Sequence, residues 1–374
     1  MNSIHPLERF AARLRARLLD STWPDREFNE FARELFRLQH QYNHAYRIFC
    51  QSRGATAETV VDWSEIPAVP AAAFKDRNFS CLPDSERMTV FFSSGTTGQR
   101  PSRHYHGRKS LEVYEKSLRQ WFCAHFPAYA NNGQHAFSAA LSLTPAKFEA
   151  PNSSLVHMFE TLRQDGVARS FEYTGHVGPD GAWLLDVEAS ARWLKMAIDA
   201  KQPVLLLGTA FSYVHLLDYL AERNISLQLP LGSAILETGG YKGRTRVLPK
   251  QELHELLRLR LGIPTSHIVC EYGMSELSSQ AYDLRVSTPA TGSGQEPKRV
   301  FRFPPWARVQ ILSPENGHEV AEGETGLIRV FDLANVYSVM AIQTEDLVVR
   351  RTEGFELLGR AALSESRGCS LMTA

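Results

Sequence analysis

Hydrophobic and polar positions repeat at helical spacing over several long stretches of the chain, and short apolar runs separate these stretches. Apolar residues three and four positions apart predict helices over 4–20, 27–52, 109–126, 153–162, 208–221 and 250–261. Short apolar runs typical of buried strands lie at 88–92, 136–143, 204–207, 233–236 and 267–270. Because strands and helices alternate, we predict an α/β fold whose strands are largely buried.

The pattern changes near residue 300. Short strands separated by turn residues are predicted at 308–312, 326–331, 347–351 and 355–358. We therefore predict an α/β core over 1–300 and a β-rich subdomain over 301–374 that ends in a short tail. The stretch 287–298 is rich in Ser, Thr, Gly and Pro, and it is predicted to be a loop.

Composition and charge exclude several classes of protein. The 374 residues include 41 basic and 41 acidic side chains, so no net field favours nucleic acid or an anionic membrane. No stretch approaches the roughly 20 apolar residues of a membrane span, and the N-terminus has no uninterrupted apolar signal segment. The five cysteines are odd in number and form no Cys-x-x-Cys pair, which argues against a disulfide framework or a zinc site. We therefore expect a cytoplasmic protein.

A cluster of small polar residues follows the predicted strand at 88–92. Its members are Ser93, Ser94, Gly95, Thr96, Thr97 and Gly98. Glycines let successive backbone N–H groups face one point, and hydroxyls add hydrogen-bond donors, so the cluster suits phosphate oxygens. By composition alone a polar surface turn explains it better, and the GxxxxGK[ST] pattern of nucleoside triphosphatases is absent.

The order SSGTTG after a strand resembles the signature loop of the adenylate-forming superfamily. This superfamily includes acyl- and aryl-CoA ligases, carrier-protein-loading domains and luciferases. The resemblance implies the layered α/β fold of their N-terminal domain and a loop that binds the phosphates of ATP. The Pro-Lys that usually follows is replaced here by the segment QRPS at 99–102, which leaves Arg100 and Arg103 as candidate cations.

A second segment, EYGMSE at 271–276, resembles the Tyr-Gly-Xaa-Thr-Glu motif of the same superfamily. The resemblance implies that Tyr272 packs on adenine, that Ser275 contacts the α-phosphate, and that the catalytic Glu276 helps to hold Mg²⁺; Gly273 is a further cofactor-binding candidate. An aromatic face, a hydroxyl and a hard carboxylate oxygen suit these partners. Taken alone, the same residues are typical of a strand end followed by a helix cap at Ser275.

Further segments follow the expected order. The segment TED at 344–346 resembles Thr-Gly-Asp, which implies that Asp346 holds the ribose hydroxyls, and Gly359 with Arg360 resembles the Gly-Arg whose arginine contacts ribose or phosphate. Gly239 and Gly240 occupy the position of the glycine-rich adenine-side segment. Singly these residues are unremarkable, and their order is what gives them weight.

The end of the chain departs from typical members of the superfamily. Only fourteen residues follow Arg360, so we expect the usual small C-terminal domain, with its catalytic lysine, to be absent. Lys242 is the best-placed alternative cation, although a solvated surface lysine explains it equally well. Cys369 lies in the tail, and a cysteine thiolate attacks acyl-adenylates readily. A terminal cysteine without a role is the commoner case.

The short length, the loop without lysine, the TGGYK segment and the RGC tail are similar to the LuxE family of acyl-protein synthetases. This resemblance implies that the chain uses ATP and Mg²⁺ to activate a fatty acid as acyl-AMP, transfers the acyl group to Cys369, and delivers it to a partner acyl reductase. Phenylacetate-CoA ligases are larger relatives. Two alternatives stay open: transfer to CoA or a carrier-protein thiol, and a nucleotide-binding partner protein without chemistry.

Overall fold

The computed structural model describes most of the chain. The residues described are 4–20, 22–93, 100–127, 136–239, 246, 248–286 and 299–361. The α-helices in these ranges are α1 (Pro6–Arg17), α2 (Asp25–Tyr42), α3 (His44–Gln51), α4 (Arg108–His125), α5 (Ser154–Gln164), α6 (Val187–Ala200), α7 (Ala210–Glu222) and α8 (Lys250–Leu261). Short 3-10 helices lie at Trp63–Glu65, Ala71–Lys75, Asp84–Glu86 and Thr265–His267.

The strands belong to two larger sheets and two hairpins. In chain order they are β1 (Val69–Pro70), β2 (Thr89–Phe92), β3 (Arg103–His106), β4 (Phe137–Ser142), β5 (Ala168–Tyr173), β6 (Gly175–Val177), β7 (Trp183–Leu185), β8 (Val204–Thr209), β9 (Ala234–Thr238), β10 (Ile268–Tyr272), β11 (Ala281–Tyr282), β12 (Ala307–Leu312), β13 (Thr325–Asp332), β14 (Ala341–Arg351) and β15 (Gly354–Arg360). Strands β2 and β3 form one hairpin, and β6 and β7 form the other.

The central sheet has six strands in the order β11-β10-β9-β8-β4-β5. Neighbours from β10 to β5 run parallel, and β11 pairs antiparallel with β10. Every residue of β8 and β9 is buried, because α6, α7 and α8 pack on one face of the sheet and α4 and α5 on the other. The carboxyl ends of the parallel strands therefore meet at one edge.

The second sheet has five strands, in the order β1-β14-β13-β12, with β15 also paired to β14. One hydrophobic cluster joins this sheet to the N-terminal helices, since it contains Phe10 and Phe36 together with Ile328 and Phe331. Residues on both sides of position 300 thus share one core. The predicted division into 1–300 and 301–374 stays a prediction. No helix in the described ranges combines the length and the apolar character needed to cross a bilayer.

The predicted helix over 27–52 is divided in two at Asn43. Asn43 has extended backbone angles (φ −105°, ψ 98°), and its side-chain oxygen accepts a hydrogen bond of 3.1 Å from the Tyr46 N–H at the start of α3. Its side-chain nitrogen donates to the Ser338 carbonyl at 3.2 Å. A helix cap that is also a tertiary contact therefore interrupts a periodicity that is continuous in the sequence.

The apolar pattern also does not predict β3, β5 or α6. Strand β3 has the sequence RHYH. Its two histidines are buried although they are polar residues, so the hydrophobic pattern does not predict this half-buried strand. Strand β5 lies at the edge of the central sheet and is mostly exposed, which removes the need for apolar residues. Strands β10 and β14 are longer than predicted, so that Tyr272 and Asp346 lie within strands rather than in the adjoining loops.

Candidate active site

The motif segments converge at the carboxyl edge of the central sheet, where ligands bind in open α/β folds. Strand β9 ends at Thr238, and Gly239 follows with a left-handed φ of 69° that favours glycine. Strand β10 ends at Tyr272 beside it. Ser93 directly follows β2, and its hydroxyl accepts from the Ser102 backbone N–H at 2.9 Å, which closes the base of the phosphate loop.

Tyr272 joins the central sheet to the five-stranded sheet. Its hydroxyl donates to Oδ2 of Asp346 at 2.8 Å. Its ring packs edge-on against Phe301, Phe303 and Phe355, which fixes the plane of the ring. Burial raises the pKa of both Tyr272 and Asp346, and each also affects the other through their hydrogen bond.

Arg360 lies directly opposite Asp346 in the pairing of β15 with β14. Its Nε is 3.8 Å from Oδ1 of Asp346, and its side chain is 81% exposed, compared with 19% for Asp346. The guanidinium therefore keeps most of its hydrogen-bonding capacity free for a ligand beside the carboxylate.

Ser275 and Glu276 form a buried polar pair in the site. The Ser275 hydroxyl donates to Oε2 of Glu276 at 2.9 Å, and the Ser102 hydroxyl lies 3.5 Å from the Ser275 hydroxyl. No helix begins at Ser275, so the interpretation of this residue as a helix cap is wrong. The pair instead presents hydroxyl and carboxylate oxygens next to the base of the phosphate loop.

Three residues that sequence reasoning did not assign hold this segment in place. His104 donates from Nδ1 to the Ser275 carbonyl at 2.7 Å, and Asn335 donates from Nδ2 to the Glu276 carbonyl at 2.9 Å. Burial lowers the pKa of His104 to about 4, so the imidazole is neutral near neutral pH. A neutral imidazole with Nδ1–H suits a carbonyl acceptor.

Asp332 is the third of these residues. Its carboxylate accepts from the Ser278 backbone N–H at 2.9 Å and from the Ser279 hydroxyl at 2.7 Å. Burial raises its pKa to about 6, while these hydrogen bonds act in the opposite direction. The signal for this role in the sequence is the polar pair Asp332 and Asn335 between two apolar strands, where an exposed turn would otherwise be expected.

The structure thus brings together a first group of predicted site residues and leaves a second group without a structural test. The first group comprises Ser93, Gly239, Tyr272, Gly273, Ser275, Glu276, Asp346 and Arg360. The second group lies outside the described residues and comprises Ser94, Gly95, Thr96, Thr97, Gly98, Gly240, Lys242 and Cys369. The roles of both groups stay predictions.

Comparison with known proteins identifies a family for the chain. The family model described as acyl-protein synthetase, LuxE, matches residues 19–374. The long-chain-fatty-acid–luciferin-component ligase of Vibrio harveyi is 23% identical, over 93% of this chain and 89% of that protein. The protein of the same description from Aliivibrio fischeri is 22% identical, over 92% of this chain and 87% of that protein.

Solved structures of 2-hydroxyisobutyryl-CoA ligase are similar in fold. The open conformation in complex with 2-HIB-AMP and CoA gives a TM-score of 0.62 at 14% identity, over 90% of this chain and 69% of that ligase. The postadenylation state in complex with 2-HIB-AMP gives 0.60 at 14% identity, over 90% and 67%. At this level of identity the similarity concerns the fold, and it confirms the predicted adenylate-forming α/β fold.

Proposed function

The chain belongs to the LuxE family of acyl-protein synthetases, and we propose that it activates a carboxylic acid with ATP and passes the acyl group to a thiol. The assignment agrees with the sequence prediction of an acyl-adenylate-forming ligase, and it argues against a binding partner without chemistry. The observation that carries the proposal is the hydrogen bond from Tyr272 to Asp346, since it joins two motif segments 74 residues apart at one sheet edge.

In the first step a carboxylate oxygen of the acid attacks the α-phosphorus of ATP. A new O–P bond forms, the bond from the α-phosphorus to the bridging oxygen breaks, and pyrophosphate leaves. The chain contributes mainly position and charge stabilisation. Ser275 is the proposed contact of the α-phosphate, Asp346 and Arg360 are the proposed contacts of the ribose, and the ring of Tyr272 is the proposed contact of adenine. Loop N–H groups over 94–98 are the proposed contacts of the phosphates.

The donor set beside the phosphate loop fits Mg²⁺. Glu276 is 4% exposed and lies beside the hydroxyls of Ser275 and Ser102, so the oxygens there are hard ligands. No cluster of three or more His, Cys, Asp or Glu side chains in the described ranges could hold a metal by itself. One protein carboxylate together with substrate phosphates is how Mg²⁺ usually binds. The ion would neutralise charge on the phosphates, and Glu276 is the residue proposed to hold it.

In the second step the thiolate of Cys369 is the proposed nucleophile. It attacks the acyl carbonyl carbon, the C–O bond to AMP breaks, and a thioester forms as AMP leaves; the thiol proton passes to solvent base. Lys242 is the proposed cation near the reacting groups. The two relatives are described as ligases for long-chain fatty acids, so a fatty acid is the first acid to test. An acyl reductase is the proposed partner that receives the acyl group.

The activation step is tested by acid-dependent exchange of labelled pyrophosphate into ATP, over a panel of fatty and aromatic acids. We expect exchange with at least one acid, and its loss in Glu276→Gln. Glu345→Gln is the matched control, because Glu345 is an exposed carboxylate on β14 next to Asp346. A folded protein that supports no exchange with any acid of the panel would contradict the proposal.

The transfer step is tested by intact-protein mass spectrometry after incubation with Mg-ATP and the acid. We expect an acyl adduct that Cys369→Ser removes while pyrophosphate exchange persists. Cys123→Ser is the control, since Cys123 is a cysteine on α4 and outside the motif segments. If Cys369→Ser instead turns over CoA or a carrier-protein thiol at the unchanged rate, the acceptor is that external thiol.

A further inference from the structure

A row of polar side chains crosses three strands of the central sheet at the carboxyl edge. Thr238 at the end of β9 is in register with Glu271 on β10, and Glu271 is in register with Tyr282 on β11. Residues paired in register present their side chains on the same face of a sheet. Gln280 directly precedes β11 in the chain and lies outside the strand. These four residues are named the polar row.

The polar row is buried and is next to the proposed nucleotide site. Its members are between 1% and 7% exposed, and Glu271 immediately precedes Tyr272 in the chain. The Thr238 hydroxyl donates to Oε2 of Glu271. The other carboxylate oxygen of Glu271 lies over the backbone of Gly273, where a Cβ would overlap it and would lie 3.6 Å from Cγ of Gln280. The side chains of Glu271 and Gln280 therefore both approach the backbone at Gly273, which has no side chain of its own.

Two polar atoms of the row lack a partner. Oε1 of Gln280 and the hydroxyl of Tyr282 are buried, and neither has a hydrogen-bond partner among the described residues. Buried polar atoms are almost always paired, because leaving them unpaired costs free energy. Two such atoms, beside a carboxyl whose second oxygen faces a glycine, are open to a hydrogen-bonding group that the described residues do not supply.

The surroundings limit what that group can be. The same face of the sheet is otherwise apolar, with Leu236 and Val269 packed beneath α4 and α5. Burial raises the pKa of Glu271 to about 7, while the hydrogen bond from Thr238 and the charge of Lys250 act in the opposite direction. The amide oxygen of Gln280 can only accept, so the missing partner must donate a hydrogen bond.

We propose that the polar row binds a hydroxyl or amino group carried on the acyl chain of the acid, so that the preferred substrate is a hydroxy- or amino-substituted acid. The inference rests on the proposed function, because it requires an acid to bind beside Gly273. Hydroxyl and amino groups both supply the hydrogen-bond donor that Gln280 Oε1 lacks, and the tyrosine hydroxyl can accept a hydrogen bond from either. A site built to bond such a group discriminates strongly against an analogue that lacks it.

The test compares acids that differ by one substituent. Pyrophosphate exchange is measured with octanoic acid and with its hydroxy- and amino-substituted forms, the substituent being moved along the first carbons of the chain. We expect kcat/KM for one substituted acid to exceed that for octanoic acid by at least about ten-fold. The hydroxy and amino series separate the two donors.

Variants identify the residues responsible. Gln280→Met and Tyr282→Phe remove the unpaired atoms and keep the side-chain shape. We therefore expect the ratio of kcat/KM for the substituted acid to kcat/KM for octanoic acid to fall toward one. The free energy of unfolding should not decrease, because no hydrogen bond within the chain is lost. Gln251→Met on the exposed face of α8 and Tyr219→Phe on α7 are the matched controls and should leave the ratio unchanged.

The outcomes separate this inference from the proposed function. Exchange that is equally fast with octanoic acid and every substituted form would overturn the inference, leave acid activation intact, and assign the unpaired atoms to water. The inference would also be overturned if Gln280→Met and Tyr282→Phe left unchanged the ratio of kcat/KM for the substituted acid to kcat/KM for octanoic acid. Absence of exchange with every acid would overturn the proposed function, and the inference with it.

Discussion

The segment after β10 and the end of β15 both carry site residues, but they are built in opposite ways. Ser275 and Glu276 are 6% and 4% exposed, and both of their carbonyls accept hydrogen bonds from side chains distant in the chain. Arg360 is 81% exposed, and its contact with Asp346 is a single ion pair of 3.8 Å. One segment is fixed by the fold, whereas the other is held loosely.

This difference indicates that the two regions have different roles in the site. Groups that must sit at one point, such as a hydroxyl and a carboxylate near phosphates, are positioned before any ligand arrives. A guanidinium on an exposed strand end contributes little to folding, because solvent screens its ion pair. It can therefore be released from Asp346 and used for binding. Substitutions in the two regions should consequently affect different measurements.

The largest expected effect is that of Asn335→Ala. The Asn335 amide donates to the Glu276 carbonyl at 2.9 Å and to the Val339 carbonyl at 2.8 Å, and both would lose a buried partner. We expect the free energy of unfolding in urea to fall by about 3 kcal/mol, with loss of pyrophosphate exchange. Asn316→Ala, at an exposed turn, is the control. A stability equal to that of the parent would show that the segment after β10 is not fixed by these bonds.

Glu271→Gln should change stability in a pH-dependent way. The pKa of Glu271 is raised from 4.5 to about 7, mainly by burial. Between these two values the folded chain keeps a proton that the unfolded chain has released, so the carboxyl lowers stability progressively as pH rises through this window. We expect the variant to be more stable than the parent by about 3 kcal/mol at pH 8.

Urea unfolding of both proteins at several pH values measures this effect. Well below pH 4.5 the two proteins should be equally stable with respect to this group, because the carboxyl is then protonated in both the folded and the unfolded state. Asp332 and His104 titrate in both proteins, so their contributions cancel in the difference. A stability difference that is the same at every pH would contradict the prediction.

Arg360→Ala should alter binding rather than folding. We expect the midpoint of urea unfolding to stay that of the parent, because the side chain is exposed. The KM for ATP should rise about ten-fold, if the guanidinium contacts the nucleotide as proposed. Arg351→Ala removes a half-buried ion pair with Glu356 on the same sheet and serves as the control for the KM. Equal KM values for both variants would remove Arg360 from the proposed site.

Tyr272→Phe has the smallest expected effect, because it removes one hydrogen bond and keeps the ring. The lost bond to Asp346 is 2.8 Å long and links the two regions. We expect a loss of about 1 kcal/mol in unfolding free energy and an increase of a few-fold in the KM for ATP. Tyr219→Phe is the control. A change in stability as large as that of Asn335→Ala would mean that the two regions are not independent.

Much of the fold follows from local sequence patterns. Strands β2, β4, β8, β9 and β10 and helix α4 are predicted close to their observed positions, because buried strands must be apolar and α4 must bury one stripe. Asn43 shows where such reasoning fails, since the break between α2 and α3 depends on a hydrogen bond to Ser338, nearly 300 residues away. Local periodicity does not carry information about partners at that separation.

The candidate site also has features that follow from local sequence and features that depend on long-range contacts. The sequence by itself determined which motif residues are present and in what order, because the chemistry of phosphates, ribose and adenine restricts the residue types that can bind them. Only the tertiary structure decided that His104, Asp332 and Asn335 fix the segment after β10, and that Gln280 and Tyr282 carry unpaired atoms beside Glu271. The burial of a side chain and its hydrogen-bond partners depend on which distant segments meet in the folded chain. The type of a single residue does not specify which segments these are.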